Sequence, residues 1–516
     1  MLKYAALLLC SASLGACAQT AALTKSSQQA AAKTGDYWYD GAQTTLAERK
    51  AIKANKSKAK NVILFVADGM DPTTVAAARI YDGQSRGEDG EENLLSFERF
   101  PYLAMSKTYN TDMQTPDSAG TMTAMATGYK TKAGIISLDN TAERSDCASS
   151  LDAHAPTIVE LAERAGMATG VVSTARLTHA TPAATYAHAA DRDWENDTRL
   201  PDGAYEMGCR DIASQLIDFE YGDGVDLALG GGRSNFLPQD FADPEDQDKS
   251  GARKDGRNLA AEWMTKSNSH VFIWNEEQFN RIDPSTDPKI LGLFERSHMK
   301  YELDRPDDSD GEPSLEAMTK KAIEILSRNE NGYVLVIEAG RVDHAHHGGN
   351  AARALADTQE FAQAIAAART MTDQADTLVI ATADHGHTIS FAGYPAKGND
   401  ILGFAAMPDD DGELEPMKAL DGKPYTTLGY ANGPGAVFNK SVDLSDGRPA
   451  LDHDEIAHKD FQQQALVPSY SETHGGQDVT IYASGPGAYL FGGVVEQNYI
   501  FHVIDDALRL RSRAGE

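Results

Sequence analysis

The 516-residue sequence predicts an α/β protein with a mostly parallel central sheet flanked by helices. Three observations predict it. From Val62 onward, short apolar runs alternate with helical patterns. Hydrophobic residues make up 41% and charged residues 24%, a globular balance in a chain long enough for one large α/β domain with insertions or for two to three ordinary domains. Several apolar runs end in Asp, Glu or His, and ligands of open parallel sheets bind outside the carboxyl ends of the strands.

Taken in order, residues 1–17 read as an export signal. Met1–Lys3 is a short basic start, Tyr4–Ala12 is apolar, and Leu14-Gly15-Ala16-Cys17 is a small-residue cleavage zone. The last run resembles a bacterial lipobox, in which Cys17 would carry lipid; cleavage after Ala16-Cys17-Ala18 is the alternative. The chain is expected in the periplasm, anchored to the outer membrane in the first case. No other run approaches the roughly 18 apolar residues that a membrane span needs. Residues 18–35 form a polar linker, followed by a helix expected over Thr44–Asn55. Strands are predicted at 62–67, 169–174, 226–231, 270–274, 333–339 and 377–383, with helices at 155–166 and 313–328 and a strand-like VTIYAS near the C-terminus. Acidic, loop-like stretches occupy 240–257 and 304–313, and a Gly-, Pro- and Asp-rich region, about 390–470, looks like an insertion. Beyond Cys10 and Cys17, the two thiols Cys147 and Cys209 are expected to pair in an exported protein.

The formal net charge of −30 argues against a sequence-independent nucleic-acid binder. If the substrate is an anion, positive charge must be supplied locally, most simply by metal ions. The strand ends carry suitable ligands. The first strand ends in Asp68-Gly69, another holds Glu338 and runs into GRVDHAHHGG, and a third ends in Asp384-His385-Gly386-His387. Asp343 and His347, at i and i+4, share a helix face. Asp384 and His385 reach one metal only if the backbone turns sharply, a role assigned to Gly386. His474 follows a loop. Of 14 histidines, five fall in two of these short segments, which sets them apart from scattered core or surface residues. His346 and His387 are expected to orient ligands rather than bind metal. In QTPDSAGTMTAMATG, Asp117 and Ser118 head a helix expected over Ala119–Thr127. Asp and Ser are common N-caps. A helix N-terminus also favours anions, and a Ser there, beside divalent cations, would be activated for attack on phosphorus.

Seven ordered motifs, ADGM, TPDSAGTMTAMATGYKT, THATPAATYAH, DRDW, VIEAGRVDHAHH, ATADHGH and ETHGGQDVTIYASGP, resemble those of alkaline phosphatases, over roughly Asp36 to the C-terminus. The resemblance implies phosphomonoester hydrolysis with two zinc ions and one magnesium. It implies that Asp343, His347 and His474 hold the first zinc and that Asp68, Asp384 and His385 hold the second, which activates Ser118. Asp68, Thr181 and Glu338 would hold magnesium, and Arg192 would clamp the phosphate, oriented by Asp117. His179 and His344 match the animal-type enzymes rather than the enterobacterial one, and Cys147 and Cys209 match an animal-type disulfide. Glu245, the Phe294 carbonyl, Glu295 and Glu312 match a calcium site of the animal-type enzymes. Region 390–470 would be the crown-like insertion, and residues 36–55 an N-terminal arm supporting a homodimer. A phosphodiesterase or sulfatase-like hydrolase of the same superfamily is the alternative reading.

Overall fold

A computed structural model describes residues 35–436 and 448–516. The signal segment with Cys17, the linker up to residue 34 and residues 437–447 of the expected insertion lie outside the described residues. Of the described residues, those before Lys53 belong to a unit of their own. In it, helix α1 (Asp36–Ala51) starts eight residues earlier than Thr44 and stops before Asn55, because the polar run DYWYDGAQ carries no breaker except one tolerated Gly. None of its residues is buried.

Ten strands form one sheet in the second unit. They are β1 (Asn61–Ala67), β2 (Tyr102–Lys107), β3 (Ala168–Arg176), β4 (Leu227–Gly231), β5 (His270–Ile273), β6 (Lys289–Leu293), β7 (Tyr333–Ala339), β8 (Thr377–Thr382), β9 (Val479–Ser484) and β10 (Val494–Glu496). Their spatial order is β10-β2-β9-β8-β1-β7-β3-β4-β6-β5. From β8 to β5 every pairing is parallel. Strand β9 is antiparallel to both β8 and β2, so it alone runs the other way.

Alternation along β1 explains the layers. Val62, Leu64 and Val66 pack on one face with α3 (Ser118–Thr127), α4 (Ile158–Arg164) and α8 (Tyr499–Leu508), through Met122, Ile158 and Phe501. Ile63 and Phe65 point to the other face, against α2 (Pro72–Ser85), α5 (Leu315–Leu326) and α7 (Ala351–Met371). There Phe65 meets the edge of Phe361, with centroids 5.9 Å apart. Each such fully buried ring contributes about 1.5–3 kcal/mol by leaving water. Between α5 and α7 lies α6 (Arg341–His347), a two-turn helix that starts directly after β7.

Within 390–470, Ile389–Phe391, Leu428–Gly433 and Ala465–Pro468 make a small sheet beside a hairpin of Ala406–Pro408 and Leu414–Pro416. A disulfide joins Cys147 to Cys209. No helix among the described residues is long and apolar enough to cross a membrane.

Candidate active site

Four neighbouring strands, β8, β1, β7 and β3, deliver their following residues to one place. Asp68 follows β1 and Asp384-His385 follows β8; Glu338 lies at the end of β7, which runs into Asp343 and His347 on α6. His179 and Thr181 follow β3. His474 reaches the same end from a segment preceding a strand, because β9 is reversed. Two short segments, Gly386–His387 and His474–Gly475, pair antiparallel and fix His474 opposite His387.

Ser118 is the first residue of α3, a helix in which every side chain is buried. Asp117 is its N-cap: Oδ1 accepts the Gly120 N–H at 3.1 Å. The Asp117 N–H donates to Asn110 Oδ1 at 2.8 Å, and a Cβ on Gly120 would meet Asn110 Nδ2 at 2.2 Å. The small residues of this helix are therefore needed for its close approach. Ser118 Oγ lies 3.1 Å from His385 Nε2 and 3.5 Å from Asp68 Oδ1. Thr121 Oγ1 donates to Asp384 Oδ2 at 3.1 Å, tying α3 to the strand end.

Three groups of donors surround Ser118. Asp68, Asp384 and His385 bring one ligand atom each within 4.8 Å of the others, as do Asp343, His385, His387 and His474, and also Asp68, His179 and Glu338. His347 Nδ1 lies 2.6 Å from the Glu472 carbonyl and His474 Nδ1 lies 2.8 Å from that of Pro116. A carbonyl only accepts, so each Nδ1 carries a proton, which leaves each Nε2 as the atom that can face a ligand. Those two Nε2 atoms face each other at 3.1 Å. Asp343 Oδ1 is 3.3 Å from both. Asp68 Oδ2, Thr181 Oγ1 and Glu338 Oε1 are buried without a hydrogen-bond partner. This donor set fits metal ions.

Electrostatics agree. Burial, then the charges of Asp343 and Glu338, raises Asp68 well above the usual carboxylate range. Burial also pushes Glu338 up to about 8 and Asp384 up to about 7, the latter reinforced by Asp68. Burial opposes ionisation of Asp343, but His347, His387 and His474 hold it well below the ordinary value. Buried carboxylates that repel one another need cations.

His387 and His346 sit outside the Ser118 contacts. His387 Nε2 touches Asp343 Oδ1 at 2.9 Å and its Nδ1 touches Glu472 Oε2 at 2.5 Å. His346 lies between Thr74 and Tyr430. Arg192 Nη1 donates to Asp117 Oδ2 at 3.2 Å and Nη2 to His179 Nε2 at 3.0 Å. His344 packs on His179 with centroids 5.3 Å apart.

One expectation is corrected. Gly386 does not make the sharp turn: the backbone bends at Asp384, and Gly386 lies in the short extended ladder, where a Cβ would meet Gln477 Nε2 at 2.6 Å. The residues of the expected calcium site lie apart from Ser118's contacts. Glu245 Oε2 takes Arg233 at 2.5 Å, Glu295 pairs with Lys300, and Glu312 Oε1 accepts the Lys300 N–H at 2.7 Å while its Oε2 has no hydrogen-bond partner. Phe294 is buried beside them in sequence, its N–H on the Gly230 carbonyl. Sequence reasoning missed Glu472, which also accepts the Thr388 N–H at 2.6 Å, and Thr121. An acid two residues before His474 was the available signal for Glu472.

Fold and site together define a metal-assisted hydrolase of the open α/β kind, with a buried serine among carboxylates and imidazoles. The family model for alkaline phosphatase matches residues 59–510. The chain is 42% identical to an alkaline phosphatase of Gadus morhua over 475 residues, 91% of this chain and 96% of that one. It is also 42% identical to the human tissue-nonspecific alkaline phosphatase, over 94% of this chain and 90% of that one. Solved alkaline phosphatases share the fold: that of the Antarctic bacterium TAB5 (TM-score 0.59, 22% identity, 88% of this chain and 99% of that one) and that of Thermus thermophilus (0.62, 22%, 89% and 93%). The chain belongs to the alkaline phosphatase family and is a phosphatase.

Proposed function

We propose that this phosphatase hydrolyses phosphate monoesters through a phosphoserine at Ser118 and releases inorganic phosphate. The observation that carries the reading is the place of Ser118 Oγ: against His385 and Asp68, at the N-terminus of a buried helix whose cap, Asp117, also grips Arg192. Asp343, His347 and His474 would hold one zinc, Asp68, Asp384 and His385 a second, and Asp68, Thr181 and Glu338 a magnesium. Cations bound there acidify hydroxyl and water oxygens and neutralise phosphoryl charge.

Ser118 Oγ attacks phosphorus in line with the ester oxygen. The Oγ–P bond forms as the P–O ester bond breaks, and the alcohol leaves with a proton. Arg192 uses one N–H of each terminal nitrogen on Asp117 and His179, so each nitrogen keeps a second N–H for a phosphoryl oxygen. The free N–H groups and dipole of α3 favour the same charge. Water then attacks from the opposite face, the Oγ–P bond breaks, Ser118 regains its proton and phosphate departs. The test is hydrolysis of a simple aryl phosphate at alkaline pH by protein supplied with zinc and magnesium. Activity abolished by Ser118→Ala is expected; an inactive wild type, or a variant equal to it, would overturn the reading.

Three further assignments belong to this reading. Glu245, the Phe294 carbonyl, Glu295 and Glu312 would hold calcium; support comes from buried Glu312, pushed up to about 9 by burial and then by Glu295 and Asp308. Exposed Tyr37, Trp38 and Tyr39 on α1 support a homodimer, which sedimentation would reveal. Residues 1–17 direct export to the periplasm, with lipid on Cys17 as the anchor.

A further inference from the structure

The phosphate clamp is embedded in a cluster of three imidazoles whose third member has no part in the scheme above. His298, between β6 and α5, lies with its ring centroid 4.0 Å from His344 and 5.3 Å from His179. His179 and His344 are themselves 5.3 Å apart, so the three rings close a triangle. His298 meets His179 at an interplanar angle of 81°, an edge-to-face contact that fixes the tilt of the His179 ring.

We propose that His298 is a positioning residue for Arg192, acting through the ring of His179; the inference rests on the clamp role given to Arg192 above. His179 Nε2 accepts the Nη2–H of Arg192 at 3.0 Å, so the plane of that ring aims one half of the guanidinium. The other half is held by Asp117. The bond from Arg192 has no counterpart on the other side of the His179 ring, because its Nδ1 is buried without a partner. Its orientation therefore comes from packing. His298, by contrast, is anchored: Arg176 Nη1 lies 2.5 Å from its Nε2. Arg176 is fixed in turn by Glu195 through two 2.7 Å bonds, and Glu195 also accepts Thr178 Oγ1 at 2.5 Å and Asn235 Nδ2 at 3.0 Å. A rigid ion pair at the end of β3 thus sets His298, which sets His179, which sets the phosphate-facing N–H groups of Arg192.

The experiment compares wild type, His298→Ala and His298→Phe, all supplied with zinc and magnesium. It measures kcat, KM, the inhibition constant for inorganic phosphate and the bound metal content. Losing one charge-assisted hydrogen bond of a clamp costs roughly ten- to hundredfold in affinity. His298→Ala should therefore raise KM and the phosphate inhibition constant by about tenfold or more, with metal content unchanged, and His298→Phe, which restores the ring edge, should recover most of the loss. In an Arg192→Ala background the same substitution should have no further effect on phosphate. Should His298→Ala not fold, His298→Asn is read by the same criteria. A phosphate constant within twofold of wild type, a loss of metal without a change in phosphate affinity, or no rescue by Phe would overturn the inference. Since wild-type turnover is measured alongside, failure of the parent reading would show separately as an inactive wild type.

Discussion

Asp117 does two tasks with two oxygens, and substitution can separate them. Oδ1 caps α3 and Oδ2 holds Arg192. Asn caps a helix as well as Asp does, whereas Ala loses about 1 kcal/mol of capping. Asp117→Asn should therefore keep thermal stability and metal content but raise the phosphate inhibition constant, and Asp117→Ala should do the same while also lowering the melting temperature. Equal loss of zinc in both variants would contradict this role. Glu163 on α4 makes a different point. It is buried, accepts the Thr169 hydroxyl at 2.5 Å, and burial, reinforced by Asp226, pushes it up to about 8. A folded pKa above the unfolded one means stability that is present below about 4.5 and lost as pH rises through 8. Glu163→Gln keeps the Thr169 bond without the charge. Its melting temperature should overtake that of wild type between pH 6 and pH 9, the gap widening with pH; parallel curves would refute the assignment.

At the scale of elements, α3 works because it is thin. Gly120 touches Asn110, and Asn110 holds the Asp117 backbone that places Ser118. A methyl there has no room, so Gly120→Ala should gain nothing from its better helix propensity. It should instead destabilise the protein by about 1–3 kcal/mol as an overpacked site, and lower kcat more than the fold loss accounts for. Denaturant unfolding beside kinetics measures both. Strands β1, β3, β7 and β8 were legible in the sequence because each carries a run of at least six buried residues. Strands β2 and β10 were not: β2 is half-buried and holds Ser and Lys, and β10 has three residues at the sheet edge. The same logic divides the site. Asp68, Glu338 and Asp384 could be read because they end strong strands. Glu472, Thr121 and His298 lie in loops or helices whose place at the site depends on tertiary packing, which no local pattern records.

For the whole molecule, the gathering of raised carboxylates at one end of the sheet makes stability depend on cations. Asp384 and Glu338, near 7 and 8 without metal, are ionised at alkaline pH and must then repel one another and Asp68. Chelation should therefore lower the melting temperature more at pH 9 than at pH 6, and zinc with magnesium should erase most of the difference; a pH-independent shift would argue against this coupling. The reversed strand β9 has a consequence of another kind. It brings His474 against the Pro116 carbonyl across 358 residues of chain. A ribosome or an export channel releases the chain from its N-terminus, so the parallel strands from β8 to β5 can assemble before this last ligand emerges, whereas β2 must wait for β9 and β10. A chain cut before His474 would lack the last donor, leave β2 unpaired with β9 and strip α8 from the α3 face, so activity and fold should be lost together.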